Sequence, residues 1–187
     1  MNNKSVKGSM ISGNPAKELI IFAIPMILGN LFQQFYNIAD SVIVGKFLGP
    51  DALAAVGASN SITTLFVMVA IGTGIGCSVI ISQLFGAGRM KDVKSSISTA
   101  LIAIFAFSLI LSTIGFMLSG NILKWMHTPS DVYEEADKYL KIYFLGFAFL
   151  FMYNAFNAVF NALGDSAKPL VFLIFSSVLN IGLDILF

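Results

Sequence analysis

The chain has 187 residues, of which 57% are hydrophobic and only 11% are charged, whereas a soluble domain carries about 25% charged residues. Its mean hydropathy of +0.85 predicts an integral membrane protein. A net charge of +1 and a single cysteine argue against nucleic-acid binding, a disulfide scaffold and a zinc site.

Five apolar stretches are each long enough to cross about 30 Å of hydrocarbon as a helix. In chain order they lie at about 19–44, 52–84, 97–118, 139–163 and 169–187, after a polar segment at 1–18. They lack the alternation that is typical of barrel strands, and residues that favour turns separate them. The predicted fold class is therefore an all-α integral membrane protein with five transmembrane helices.

Lysine and arginine residues near the span ends predict the orientation of the chain in the bilayer. Seven of them lie on the side of the N-terminus, and the other four lie opposite, at Lys46, Lys124, Lys138 and Lys141. We therefore expect a multi-pass protein of the plasma membrane with a cytoplasmic N-terminus. Nothing polar follows the last span, so we expect this chain to be the N-terminal piece of a longer protein.

Only two of the ten acidic residues, Asp40 and Asp184, lie well inside apolar spans. An acid in a bilayer is energetically expensive and indicates a functional site. At about 1.5 Å per residue, Asp184 lies roughly 22 Å above Pro169, and Asp40 lies roughly 9 Å below Lys46, which places both at a similar depth. Two neighbouring carboxylates would share a proton or hold a cation such as Na⁺. The alternative is a pair of acids that reach out to the membrane surface.

Both acids extend rows of polar residues at helical spacing. Asp40 extends the row Asn30, Gln33 and Asn37 on the first span, and Asp184 extends Ser177 and Asn180 on the fifth. A third row, without an acid, comprises Asn154, Asn157 and Asn161 on the fourth span. Lipid would not solvate these rows, so we expect them to face one another or a water-filled cavity. The alternative is that the amides only join helices to each other. An amide oxygen beside a carboxylate, as at Asn180 and Asp184, suits a hard cation.

Pro25 lies inside the first predicted helix, where it removes one backbone hydrogen bond. It therefore predicts a bend in this span. Two interpretations remain open, a bend that responds to loading of the acidic pair and a bend that is static.

Several segments resemble the multidrug and toxic compound extrusion (MATE) family of transporters, and together they cover nearly the whole chain. The resemblance is carried by Ile24-Pro25 with Asn30-Leu31, by Asp40–Gly57, by Phe85-Gly-Ala-Gly-Arg89, and by Asn161-Ala-Leu-Gly-Asp165 with Pro169. It implies a twelve-helix exporter made of two six-helix lobes around a central cavity. This chain would supply the first five helices of the N-terminal lobe, over residues 19–187.

The resemblance also implies a coupling site and a function. In the DinF-like branch, an acid on the first helix and an Asn/Asp pair on the fifth form a cation site, which Asp40, Asn180 and Asp184 match. These residues would bind Na⁺ if sodium is the coupling ion. The family exports organic, often cationic, compounds against inward Na⁺ or H⁺ flow. The expected partners are small organic substrates, the bilayer and the remainder of the same transporter, with no cofactor other than the coupling ion.

Other functions are less consistent with the residues. A lipid-linked oligosaccharide flippase of the same superfamily would be expected to carry basic residues in its cavity, but no lysine or arginine lies mid-span here. A channel subunit would need a ring of charges or a filter of carbonyl groups. We expect no enzyme, because the sequence contains neither a nucleophile–base set nor a glycine loop in the context that phosphate binding requires.

Overall fold

The computed structural model describes residues 15–186, apart from the side chains at positions 15, 48, 51, 52 and 184–186. All of its regular elements in this range are helical, which confirms the predicted all-α class. In chain order they are α1 (Pro15–Ile43), a π-helical turn (Val44–Leu48), α2 (Pro50–Gly86), α3 (Met90–Trp125), α4 (Tyr133–Leu145), α5 (Phe147–Ala162) and α6 (Ala167–Leu186). The predicted division at residue 18 stays a prediction, and positions 1–14 lie outside the described residues.

The lengths of these helices fit a membrane protein. Each of the helices α1, α2 and α3 is long and apolar enough to cross a bilayer. Together α4 and α5 reach the same length, but they meet at an angle of 49°. In α6, the apolar segment Ala167–Leu183 is shorter than these spans. The sequence predicts an unbroken fourth span, whereas the chain bends at Gly146.

Contacts with α3 accompany the bend between α4 and α5. The Ser112 hydroxyl donates a hydrogen bond to the backbone oxygen of Phe144, close to the end of α4. Gly115, one turn further along α3, lies so close to the Phe144 ring that a Cβ atom would overlap it. The apolar pattern of the fourth span contains no information about these two contacts, because both come from another helix.

Three helices end in the same kind of turn, in which the residue after the cap adopts a left-handed conformation. This residue is Gly88 after α2, with φ 71°, and Gly164 after α5, with φ 79°. After α3 it is His127, with φ 56°. The glycines explain why the breaks near 86 and 164 are visible in the sequence, because glycine adopts positive φ without steric cost.

The helices pack in two groups. Helices α2, α3, α4 and α5 contact one another and form what we call the four-helix bundle. Its core contains the aromatic rings of Phe66, Phe144, Phe147 and Phe151. The other group, which we call the α1–α6 pair, consists of two helices that pack mainly on each other. The pair meets the bundle where α1 and α6 approach α5, and also where the π-helical turn after α1 packs on α2.

Candidate functional site

A polar cavity lies where α1, α5 and the start of α6 meet. Its volume is about 70 Å³, which is enough for a few water molecules. Its wall includes Pro25 and four of the predicted amide residues, namely Asn30 and Gln33 from α1, and Asn157 and Asn161 from α5. The structure therefore brings the polar rows of the first and fourth spans together.

One oxygen atom at this cavity has no hydrogen-bond partner in the part of the chain that the structure describes. The Nδ2 atom of Asn161 donates a hydrogen bond of 2.9 Å to Oδ1 of Asn157. The Oδ1 atom of Asn161 itself is buried and accepts no hydrogen bond from the described residues. Leaving a buried acceptor unsatisfied costs about 1–3 kcal/mol. This atom is therefore suited to accept a hydrogen bond from a ligand or from water.

The other two predicted amide residues lie elsewhere. Asn154 donates to the backbone oxygen of Leu150 in its own helix, at 2.9 Å. Asn37 is exposed, donates to Gln34 at 3.3 Å, and borders a shallow depression that it shares with Leu53 of α2. The polar row on α1 is thus divided between two places, although its members lie on one face of the helix.

The residues predicted to couple a cation lie on the two helices of the α1–α6 pair. The Oδ1 atom of Asn180 in α6 is buried and has no hydrogen-bond partner among the described residues. Asp40 lies near the C-terminal end of α1 and is partly buried. Asp184 lies one turn after Asn180 in α6, but its side chain is outside the described residues.

The predicted coupling residues Asp40, Asn180 and Asp184 offer oxygen atoms, which are the ligands that hard cations accept. No group of three or more His, Cys, Asp or Glu residues that could hold a metal is found in the part of the chain that the structure describes. The buried amide oxygen of Asn180 is a neutral hard ligand of the kind that alkali and alkaline-earth cations accept. It supports the prediction that an amide contributes to this site.

Tyr139 is a further residue near this site, and the sequence contains no signal that marks it. The carboxylate of Asp40 lies close enough to the Tyr139 phenol for the two groups to interact electrostatically. Tyr139 also stacks on Tyr143, with ring centroids 6.2 Å apart. Since Tyr139 belongs to α4, this proximity places the acid on α1 next to the four-helix bundle.

An ion pair stabilises the turn between α5 and α6. The Lys168 ammonium lies 2.8 Å from Oδ2 of Asp165, and the Lys168 backbone N–H donates to Oδ1 at 3.3 Å. Burial by itself would raise the pKa of the Asp165 carboxyl, but the hydrogen bonds and the charge of Lys168 lower it below its ordinary value of 3.8. The carboxylate is therefore ionised at neutral pH.

This arrangement matches known transporters. A family model described as MatE matches residues 25–186. The chain is 36% identical over 175 residues to the probable multidrug resistance protein YpnP of Bacillus subtilis, covering 94% of the chain and 39% of that protein. A solved transporter of the MOP superfamily from Pyrococcus furiosus covers 98% of the chain with 26% identity and a TM-score of 0.89. A multidrug resistance MATE family transporter in an outward-facing conformation matches with the same TM-score of 0.89.

The helical fold is that of one part of a multi-pass membrane transporter. The chain belongs to the MATE family, as the sequence predicts. Members of this family are transporters and not enzymes, which confirms the expectation that the chain has no enzymatic activity. The chain spans about two fifths of the length of the relatives that it matches, with 39% of YpnP covered and 40% of the Pyrococcus transporter. Assignment to the DinF-like branch stays a prediction.

Proposed function

We propose that the protein containing this chain exports organic, cationic compounds and uses inward flow of Na⁺ or H⁺ as its energy source. The chain would form five helices of an N-terminal lobe in the plasma membrane, with a cytoplasmic N-terminus. Family membership supports export, and the name of the relative YpnP refers to multidrug resistance. The observation that carries the coupling site is the buried Oδ1 atom of Asn180. It has no hydrogen-bond partner among the described residues, and it lies on the helix that packs against α1.

The coupling site would work by neutralising charge. A Na⁺ ion would bind oxygen atoms of Asp40, Asn180 and Asp184, whereas a proton would bind one of the two carboxylates. Either event removes negative charge from the α1–α6 pair. Because the Asp40 carboxylate lies near the Tyr139 phenol of α4, its neutralisation would change the electrostatic environment where the pair meets the bundle. Loading of the site would thereby favour a different packing of α1.

The substrate site would combine the polar cavity with an adjoining apolar groove. The groove has a volume of about 510 Å³ and is bordered by Phe156, Phe160, Phe172 and Phe175. Tyr153, Asn157 and Pro169 border both spaces. Aromatic rings attract organic cations, and the amide oxygen of Asn161 can accept a hydrogen bond from an ammonium group. This combination supports an amphipathic cation as the substrate.

The first test is the exchange of Asp40 for Asn in the full-length protein. Asp40→Asn keeps the size of the side chain but removes the charge that a coupling cation neutralises. In proteoliposomes, we expect ethidium export driven by a Na⁺ or H⁺ gradient to fall at least tenfold. Running the two gradients separately identifies the coupling ion.

Two further variants complete this experiment. Asp184→Asn should have the same effect as Asp40→Asn. Asp92→Asn is the matched control, because Asp92 pairs with Arg89 in an exposed position at the start of α3 and should export normally. Undiminished gradient-driven export in both Asp40→Asn and Asp184→Asn would overturn the coupling site.

A further inference from the structure

A buried serine joins the beginning of α1 to the turn between α5 and α6. The Oγ atom of Ser166 donates a hydrogen bond of 2.8 Å to the backbone oxygen of Phe22, a residue 144 positions away in the chain. Ser166 is only 6% exposed. A hydroxyl group that donates to a helix carbonyl from a different segment holds the two segments together, and burial protects this bond from competition with bulk water.

The accepting carbonyl lies at the weakest point of α1. Pro25 has no N–H group, so the carbonyl of Ile21 lacks its helical donor, and the proline ring crowds the preceding turn. Nevertheless α1 continues through Pro25, from Pro15 to Ile43. The carbonyl of Phe22, which Ser166 binds, is next to the one that Pro25 leaves without a donor. Serine hydroxyls that bind the freed carbonyl are one means by which a membrane helix tolerates proline, whereas Ser166 binds the carbonyl beside it.

The backbone turn that precedes Ser166 has a defined conformation. Gly164 adopts a φ of 79°, and the Asp165 N–H donates to the Phe160 carbonyl at 3.0 Å. Asp165 and Lys168, which stand before and after Ser166 in the chain, form an ion pair. Ser166 and Pro25 also both border the polar cavity. The hydrogen bond is therefore located between a proline in α1, a defined turn and a space that can hold water.

We propose that Ser166 is a positioning residue that holds residues 15–24 of α1 against the α5–α6 turn. A bend at Pro25 that moves residues 15–24 away from this turn then requires the hydrogen bond from Ser166 to Phe22 to break. This structural role is independent of what the protein transports. Its consequence, that the strength of this bond sets the rate of the conformational step in export, rests on the proposed function.

The structural role can be tested by measuring a distance in the full-length protein. Spin labels at Lys17→Cys in α1 and Lys94→Cys in α3, both exposed positions, would report on the beginning of α1 after replacement of Cys77 and of every other native cysteine. In nanodiscs, we expect Ser166→Ala to broaden the distance distribution and shift its maximum by several ångströms. Ser166→Thr keeps the hydroxyl and should retain the parent distribution.

A matched control separates this effect from a general loss of a serine. The Oγ atom of Ser176 donates to the Leu173 carbonyl within α6, at 3.0 Å. Ser176→Ala therefore removes a hydroxyl from α6 that does not join two segments, and it should leave the distance unchanged. A parent-like distribution in Ser166→Ala, or an equal shift in Ser176→Ala, would overturn the proposal.

A second background tests the connection to Pro25. In Pro25→Ala the backbone N–H returns and α1 regains its missing hydrogen bond. We expect Ser166→Ala to shift the distance in the parent but not in Pro25→Ala, and equal shifts in both backgrounds would contradict the role at the proline. Ethidium export is measured on the same variants. A shifted distance with an unchanged maximal rate of export would support the positioning role and overturn its link to transport.

Discussion

The four-helix bundle and the α1–α6 pair differ sharply in how they are packed. In the bundle, the rings of Phe144, Phe147 and Phe151 are each 1% exposed or less. In the pair, no side chain of α1 within the described residues is buried, and Leu173 is the buried residue of α6 among those described. By contrast, among the described residues the two buried amide oxygens that lack a hydrogen-bond partner belong to Asn180 in the pair and to Asn161 of α5, at the cavity where the bundle meets the pair.

The residues that form the packed core and the polar residues of the candidate site therefore lie in different regions of the molecule. The bundle contains a tightly packed aromatic core, in which Phe66 and Phe144 meet edge to face with centroids 5.0 Å apart. The pair and its junction with the bundle contain the acid, the amides and the proline. Unsatisfied polar groups and a proline within a helix weaken packing, so they are better tolerated at the pair than inside the bundle.

The largest expected effect comes from a clash inside the bundle. Gly115→Ala places a methyl group where the Phe144 ring lies, and overpacking of this kind costs about 1–3 kcal/mol or more. We expect a drop of several degrees in the Tm of the purified protein, measured by fluorescence-detected size exclusion after heating. The control is Gly76→Ala in α2, where a Cβ atom meets nothing within 4 Å. Equal Tm values for the two variants would mean that Phe144 moves aside and that the bundle core is not tightly packed.

In the α1–α6 pair we expect a smaller change in the free energy of unfolding, and this change is a stabilisation. Asn180→Leu replaces a buried carbonyl oxygen that has no hydrogen-bond partner within the described residues. In the absence of a coupling cation we therefore expect unfolding to become harder by about 1 kcal/mol. Gradient-driven export should be lost in the same variant. The measurement is the Tm without Na⁺ at a pH where the carboxylates are ionised.

Asn154→Leu is the matched comparison for this prediction. Its amide already donates to the Leu150 carbonyl, so its loss should not raise the Tm. If Asn180→Leu and Asn154→Leu lower the Tm equally, then the Asn180 oxygen already has a satisfactory partner and the coupling site loses its main support.

The smallest effect is a pH dependence at the turn that carries Ser166. The pKa of Asp165 is lowered in the folded protein, so its ion pair stabilises the fold above the ordinary value of 3.8. That stabilisation is lost as the pH falls below this value and through the lowered pKa. We expect Asp165→Asn to unfold more easily than the parent at pH 7, by less than about 1 kcal/mol.

The Asp165 difference should shrink when the same measurement is repeated at decreasing pH. The control is again Asp92→Asn, whose ion pair with Arg89 is more exposed, with 47% of the Asp92 side chain accessible. A parent-minus-variant difference for Asp165→Asn that stays constant down to pH 3 would show that the ion pair does not stabilise the turn.

Much of this architecture could be predicted because it depends on local sequence. The apolar stretches, the glycines at 88 and 164 and the polar rows on α1 and α5 each act within one helix or one turn. The bend at Gly146 could not be predicted, because Ser112 and Gly115 of α3 contact Phe144 from outside. The same reason explains Tyr139, whose proximity to Asp40 depends on how α4 is placed beside the end of α1.

The sequence by itself determined the membrane class, the helical elements and the polar residues that lipid would not solvate, because composition and periodicity decide which surfaces can face hydrocarbon. Only the tertiary structure decided which polar residues meet. It brought Asn30 and Gln33 to Asn157 and Asn161, left Asn37 apart, and placed Ser166 on the carbonyl beside Pro25. These juxtapositions depend on the packing of helices that are distant in the chain, and no local pattern encodes that packing.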